Sequence, residues 1–565
     1  MSYFAAIGLG STLLPGILWG RVAAGDPITP ETIAKAAELA GLELDEQERV
    51  MMVEGLTDQE KRLESLHAVK LENDVAPALH FDPLPPGMML DHRERPMVRS
   101  PVSARAVPKD LEELAFLPVT ELSELVRRRK VTSTQLTRMY LERLERVDPV
   151  LHCVITLTAD RALARAKAAD EEIARGKYRG SLHGIPWGAK DLLAVRGYPT
   201  TWGTPPYRTQ TIDRDATVVR RLDAAGAVLV AKLSLGELAM GDVWFGGKTR
   251  NPWKTDQGSS GSSAGPAAAT AAGLVGFSIG SETLGSISSP STRCGATGLR
   301  PTFGRVPRTG AMALSWSMDK LGPIARSVED CALVLDVIHG ADGRDPTARD
   351  AAFNWDWRVK PSALRVGILA SEFDKEHPTK RFDDAALDVL RRLGVRPAPV
   401  ELPDFPYDAL TLMLSAEAAA AFDELTRSGR DREMTRQDEH AWPNSFRVAH
   451  FIPAVDYVNA SRVRALVMRA MAEVMSKVDV VVAPTGGRQL VVTNLTGHPA
   501  VIVPNGFRDD GTPVSLTFLG GLYREAPMLA LARAYQEATG FHLEHPRVGS
   551  ELHGARDAER GARQG

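Results

Sequence analysis

The chain reads as an α/β protein with a central mixed β-sheet covered by helices on both faces and a helical extension at its N-terminus. Three observations carry this expectation. Val228-Leu229-Val230 and Val480-Val481-Val482 are short, wholly apolar runs of the kind found in strands buried on both sides. Residues 120–146 and 158–175 are amphipathic and have helical spacing. Residues 257–289 pack serine, glycine and alanine around one apolar run at 274–279, which has strand character. Pro266 and the three alanines after it read as a first helical turn, where proline is tolerated. Further helices are expected over 417–425, 463–478 and 529–539, the first two as part of a substrate funnel and the last as a closing element.

Composition sets the class. The chain has 565 residues, a formal net charge of −3 and 44% hydrophobic residues, enough for one large domain with an extension. That charge balance leaves no electrostatic footprint for nucleic acid. Cys153, Cys294 and Cys331 have neither metal-ligand spacing nor the look of a disulfide framework. The 13 histidines form no zinc pattern, so neither metal nor cofactor is expected. His183 and His498 lie beside motif glycines, where they line a cleft or, with more weight, serve as satisfied structural groups.

The small-residue run has several readings. Gly261-Ser262-Ser263-Ala264-Gly265 fits G-x-S-x-G with Ser263 in the nucleophile position, but that elbow needs a strand directly before it, and 251–256 reads as a loop. Gly246-Gly247-Lys248-Thr249 resembles the end of a phosphate loop, yet Asp242 stands where the first glycine belongs. A tightly packed helix and turn without chemistry is the plain alternative. Small residues in such density suit close approach of backbone to backbone or to substrate.

The wider pattern resembles the amidase-signature family of serine hydrolases. Residues 182–191, LHGIPWGAKD, are similar to its G-I-P-x-x-x-K-D strand, and residues 294–305, CGATGLRPTFGR, to its C-G-x-x-G-L-K-P-T-x-G-R. Residues 494–500 and 504–506 resemble its late N-x-x-G-x-P and P-x-G elements, so the resemblance spans about 108–545. It implies the amidase-signature fold and a Ser-cisSer-Lys triad of Lys190, Ser262 and Ser286, with Ser262 at the cis peptide. Ser259 and Ser260 also follow the Gly-Ser-Ser pattern but lie too far from Ser286. An oxyanion hole from the backbone of Thr283, Leu284, Gly285 and Ser286 is implied, as is an acyl-enzyme formed from a small-molecule linear amide of aryl, peptide or carbamate type. A serine hydroxyl needs a base, and a lysine serves only when burial leaves it neutral. Activity is therefore expected to rise with pH. Trp187, Met240, Trp244 and Phe245 are expected to offer an aromatic-tolerant pocket.

Three positions depart from that family's pattern: Glu282 for aspartate, Leu284 for the first loop glycine and Ser288 for arginine. Glu282 is expected still to accept loop hydrogen bonds, and Leu284 to narrow or dry the space beside the nucleophile. The stretch 484–494 is short for the family, which would open the pocket.

Four regions follow: an apolar segment 1–27, a helical pair with a proline-rich tail at 28–107, the amidase domain 108–545 and a loose tail 546–565. Residues 4–22 are apolar but interrupted by Gly8, Gly10, Pro15 and Gly20, so no stable membrane span is expected. The location is cytoplasmic as the chain stands, or exported if a twin-arginine start lies upstream. A helix starts at Thr29-Pro30-Glu31 and another, with Asp45 and Glu48, runs to about 71. This pair resembles the small C subunit of tRNA-dependent amidotransferases, with 74–108 as a wrapping tail. The alternative function is therefore an amidotransferase A-type subunit within a tRNA-dependent assembly; a homo-oligomer is left open.

Overall fold

A computed structural model describes residues 27–39, 46, 49, 50, 53, 81–103 and 106–548, apart from 439, 450, 451 and 453. The apolar stretch 4–22, most of the helix expected to end near 71 and nearly all of the tail 546–565 lie outside the described residues.

Strands β1 (Val154–Leu157), β2 (Pro186–Lys190) and β3 (Val228–Leu233) come first. Two small hairpins follow, β4 (Val243–Trp244) with β5 (Gly247–Lys248), then β6 (Arg250–Asn251) with β7 (Lys254–Gly258). The chain continues through β8 (Phe277–Glu282), β9 (Thr297–Arg300), β10 (Lys320–Ala325), β11 (Val366–Leu369) and β12 (Ala398–Val400). It closes with β13 (Val480–Pro484), β14 (Ala500–Phe507) and β15 (Pro513–Gly520). Eleven of these form one sheet in the order β1-β3-β2-β8-β10-β9-β14-β15-β13-β11-β12. The sheet is mixed: β2 runs parallel to β3 and β8, and β11 parallel to β12 and β13, while every other pairing is antiparallel.

Helices cover both faces. Helix Ala264–Ala271 packs with Val228 and Val230 in one core, whereas Val328–Ile338 and Glu525–Thr539 pack with Trp187, Phe277 and Ile279 in the other. Open α/β sheets bind ligands beyond the C-terminal ends of their parallel strands. Here β2, β3 and β8 supply those ends, with Lys190 level with Leu233 and Ala189 level with Ile279.

Several elements differ from the sequence reading. The single helix expected over 120–146 is two, Val119–Arg127 and Ser133–Leu151. Arg129 takes φ 56° at the break, and Thr132 with Gln135 forms a reciprocal capping box that starts the second helix. The run expected as a strand over 274–279 enters the sheet only at Phe277 and continues to Glu282. Helix 417–425 is replaced by Leu412–Ala421 and Asp423–Arg427, divided at Phe422, while 463–478 belongs to the longer helix Ala454–Lys477. Residues 254–258, read largely as loop, form β7.

At the N-terminal side, helix Pro30–Leu39 starts where expected. Residues 81–103 lie extended along the main domain. Phe81 packs edge-on against Phe303 at 5.1 Å, under the Arg464 guanidinium. Further along, Val98 N–H donates to Trp355 O at 3.0 Å and Ser100 N–H to Glu329 Oε1 at 2.8 Å. Prolines suit such a strap because it needs no ladder partner. Among the described residues no helix is long and apolar enough to cross a membrane.

Candidate active site

Alternation along β2 sends Trp187 and Ala189 into one core and Lys190 to the opposite side, toward the start of helix Ala264–Ala271. Lys190 is wholly buried. Its Nζ lies 2.8 Å from Ser262 Oγ, 3.1 Å from Ser263 Oγ and 2.9 Å from Ser281 Oγ. No carboxylate among the described residues pairs with it, because the adjacent Asp191 is engaged by Lys232 at 2.5 Å and by Thr201. Burial drives the Lys190 amine well below its ordinary 10.5, opposed only by the negative charges of Asp319 and Glu282.

The three serines differ in their free capacity. Ser263 Oγ donates to Ser281 O at 3.0 Å and accepts from Ser281 N–H at 3.1 Å as well as from Lys190, so its hydroxyl is fully used. This excludes the elbow arrangement. Ser262 follows a cis peptide, Gly261-Ser262, and is buried. Ser263 N–H donates to Ser286 O at 3.0 Å, which brings Ser286 beside Ser262. Ser286 is half-buried, more open than either neighbour.

The loop from 283 to 286 is shaped by Glu282. Its Oε2 accepts from Ile287 N–H at 2.9 Å, Ser288 N–H at 2.8 Å and the Ser288 hydroxyl at 2.8 Å. Its Oε1 accepts from Arg300 at 2.8 Å and Asn494 at 2.9 Å. Burial works against this carboxylate, but the Arg300 guanidinium and the Asn494 amide outweigh it and hold the group down at about 2. Ser288 thus serves the loop where the family pattern has arginine. Among the described residues, the N–H groups of Leu284, Gly285 and Ser286 meet no acceptor, and Gly285 needs its φ of 103° to present them. Leu284 packs at the edge of a third apolar cluster that includes Val492 and Leu495, on helix Gly487–Thr496, which fills the short stretch before Asn494.

A cavity of about 270 Å³ opens beside this centre, floored by Ser281, Thr283 and Asp319 and walled by Ala239, Met312, Leu314 and Trp316. Arg214, Arg308 and Arg344 lie at its rim. None of Trp187, Met240, Trp244 and Phe245 lines it. Trp187 is stacked on Phe277 inside the core, Trp244 donates to His152 O at 3.2 Å, and Phe245 lies under Arg208. Met240 is partly buried, and its neighbour Ala239 takes the wall position. The aromatic pocket expected from sequence is therefore core and hairpin packing. His183 and His498 are structural too: His183 Nδ1 accepts from Arg179 N–H at 3.1 Å, and His498 Nδ1 meets Thr496 Oγ1 at 2.8 Å. Cys294 is buried. Ser281, Arg300 and Asp319 carried no mark in the sequence reading, although alternation along β8 from Glu282 would have turned Ser281 to the opposite face. No metal-binding cluster is found among the described residues.

Comparison with known proteins identifies the family. The family model described as Amidase matches residues 135–490. The chain is 34% identical to the A-type subunit of glutamyl-tRNA(Gln) amidotransferase from Methylococcus capsulatus, over 76% of this chain and 98% of that protein. It is 35% identical to a putative amidase, AmiD, of Mycobacterium bovis, over 78% and 99%. Among solved structures, the native peptide amidase of Stenotrophomonas maltophilia superposes with a TM-score of 0.67 at 31% identity, covering 77% of this chain and 99% of that one. With more than half of its length matched by the family model and near-complete coverage of these relatives, the chain belongs to the amidase-signature family of amide-cleaving enzymes.

Proposed function

We propose that this protein hydrolyses a small linear carboxamide, of aryl, peptide or carbamate type, through an acyl-enzyme on Ser286. The observation that carries the reading is Lys190: a buried amine with no carboxylate partner, ringed by three serine hydroxyls. A neutral amine has two N–H donors and one lone pair. The Ser263 proton is committed to Ser281 O, which leaves the lone pair to accept from Ser262 or Ser281, and of these Ser262 adjoins the residue whose N–H holds Ser286 O. Lys190 takes the Ser262 proton and Ser262 takes that of Ser286. The Ser286 oxygen then attacks the carbonyl carbon. The N–H groups of the 283–286 loop meet the oxyanion, a device worth about 3–4 kcal/mol per key donor. The proton returns through Ser262 to the leaving amine, and water repeats the sequence on the acyl-enzyme.

The test is intact-mass spectrometry of the chain treated with a fluorophosphonate. One adduct is expected, mapped to Ser286 and absent in Ser286→Ala, with much slower labelling in Ser262→Ala. Labelling at any other serine overturns the assignment.

The second reading, an amidotransferase A-type subunit, is favoured by the relatives that carry that name. It predicts turnover only with added partner proteins, whereas the hydrolase reading predicts an active single chain. Residues 28–107 fit the latter as a wrapping unit supplied in cis, since their described part already lies against the domain.

A further inference from the structure

The nucleophile loop is held at one end by Glu282. At the other end is Thr283, whose peptide carries the Leu284 N–H. Thr283 Oγ1 donates to Asp319 Oδ1 at 2.6 Å. Asp319 Oδ2 accepts from Leu314 N–H at 2.8 Å and Ser315 N–H at 3.0 Å. One buried carboxylate on the cavity floor therefore ties the loop before the nucleophile to the segment that walls the cavity. That segment is latched from outside. Glu417, on helix Leu412–Ala421, accepts from Ser315 Oγ at 2.8 Å, Ser317 N–H at 2.9 Å and Ser317 Oγ at 2.6 Å. Arg464, on helix Ala454–Lys477, donates to Ser317 Oγ and O at 2.8 Å, and Arg308 donates to Trp316 O at 2.8 Å. Every donor around Asp319 points at it, an arrangement that favours the anion.

We propose that Asp319 is a positioning residue of the hydrolysis: through Thr283 it fixes the N–H groups that meet the oxyanion, and its negative charge acts on Lys190. The inference rests on the Ser286 mechanism above. Asp319 and Glu282 are the charged groups that act on Lys190, and the Glu282 charge is already opposed by Arg300 at 2.8 Å. Among the described residues Asp319 has no such ion pair: Arg308 is bonded to Asp345 and to main-chain carbonyls, and Lys320 donates to the carbonyls of Met318 and Thr283. Burial raises the Asp319 carboxyl, and the Thr283 hydroxyl and Arg308 pull against that rise.

The two effects separate by substitution. In Asp319→Asn the amide oxygen keeps the two N–H bonds and the amide nitrogen donates to Thr283, so geometry stays while charge goes. Losing that charge makes protonated Lys190 less favourable, and the alkaline rise in activity moves to lower pH. Thr283→Val breaks the link, while the N–H groups of Leu314 and Ser315 still hold the Asp319 carboxylate. The measurement is the rate of fluorophosphonate labelling at Ser286 against pH, per folded molecule, for wild type, both variants and the double variant. Thr283→Val is expected to lower the plateau by about 10-fold, a fraction of what a lost oxyanion donor costs, with the limb in place. Asp319→Asn is expected to keep the plateau within about threefold and to raise the rate at the foot of the limb by about threefold, which corresponds to about half a pKa unit. The double variant should combine the lowered plateau with the moved limb. A limb unmoved in Asp319→Asn, or a plateau unchanged in Thr283→Val, overturns the proposal. A purely structural role would not move the limb. Failure of wild-type Ser286 to label instead overturns the mechanism beneath it.

Discussion

Three lysines end inside the protein around the nucleophile loop, and each is satisfied differently. Lys232 pairs with Asp191 at 2.5 Å. Lys320 donates to the carbonyls of Met318 and Thr283. Lys190 meets only hydroxyls. Burial lowers the amine of Lys232 too, but its carboxylate opposes that fall at contact distance, so Lys190 is the one of the pair left to act as a base. The sign of the pH dependence follows. Protonated Lys190 cannot accept the Ser262 proton, so activity is absent below its pKa and rises to a plateau above it. Because burial places that pKa well below 10.5, the plateau should begin well before 10.5 in a rate profile. A profile flat from mildly acidic to alkaline pH would exclude the lysine base. Lys190→Met, which keeps bulk and removes the amine, should cut turnover by about 10²–10⁴-fold, the usual contribution of a general base, without unfolding the chain.

At the scale of elements, the site is three strand ends and two loops brought into register. The loop at 241 closes on the cis peptide so tightly that a methyl group on Gly261 would stand 1.8 Å from Gly241 O. Gly261→Ala should therefore displace Ser262 and abolish most Ser286 labelling, with far-UV circular dichroism unchanged; a variant that labels at the wild-type rate would show that this contact does not matter. Much of this architecture was legible in the chain. The apolar strands β3 and β13 and the helix Ala159–Ala174 follow directly from composition and period. Lys190, Ser262 and Ser286 came from the resemblance to the amidase-signature family; the structure sets Lys190 Nζ 2.8 Å from Ser262 Oγ, and Ser263 N–H 3.0 Å from Ser286 O. What was not legible depends on direction and distance. Trp187 has the residue type of a pocket wall, but the two-residue period of β2 turns it into the core. The break at Arg129 comes from a single left-handed residue between two capped helices, which an amphipathic pattern running across it conceals. Asp319 lies 33 residues beyond Ser286 in sequence, a separation no local pattern reports.

The whole molecule is bound together across long stretches of chain. The strap at 81–103 touches 303, 329 and 355, and Arg464 joins the stack at Phe81 to the loop at Ser317. Phe81→Ala removes a partly buried ring and its contact with Arg464. A loss of about 1 kcal/mol is expected, read as a lower denaturant midpoint with labelling of Ser286 retained. An unchanged midpoint would mean that the strap lies on the domain without supporting it.

The lack of a paired carboxylate beside Lys190 has a consequence for the reaction as a whole. In the proposed mechanism the competent state has Lys190, Ser262 and Ser286 all uncharged. Of the two anions that act on Lys190, Glu282 is opposed by Arg300, and Asp319 is held by the donors of Thr283, Leu314 and Ser315. A neutral amide would meet an uncharged triad in a cavity whose charged groups, Asp319 on the floor and Arg214, Arg308 and Arg344 at the rim, surround it. Charge appears only when the carbonyl oxygen becomes an anion, in a place where low dielectric makes each waiting N–H count for more than it would in water. On this reading the triad is uncharged at rest and becomes polar only during turnover.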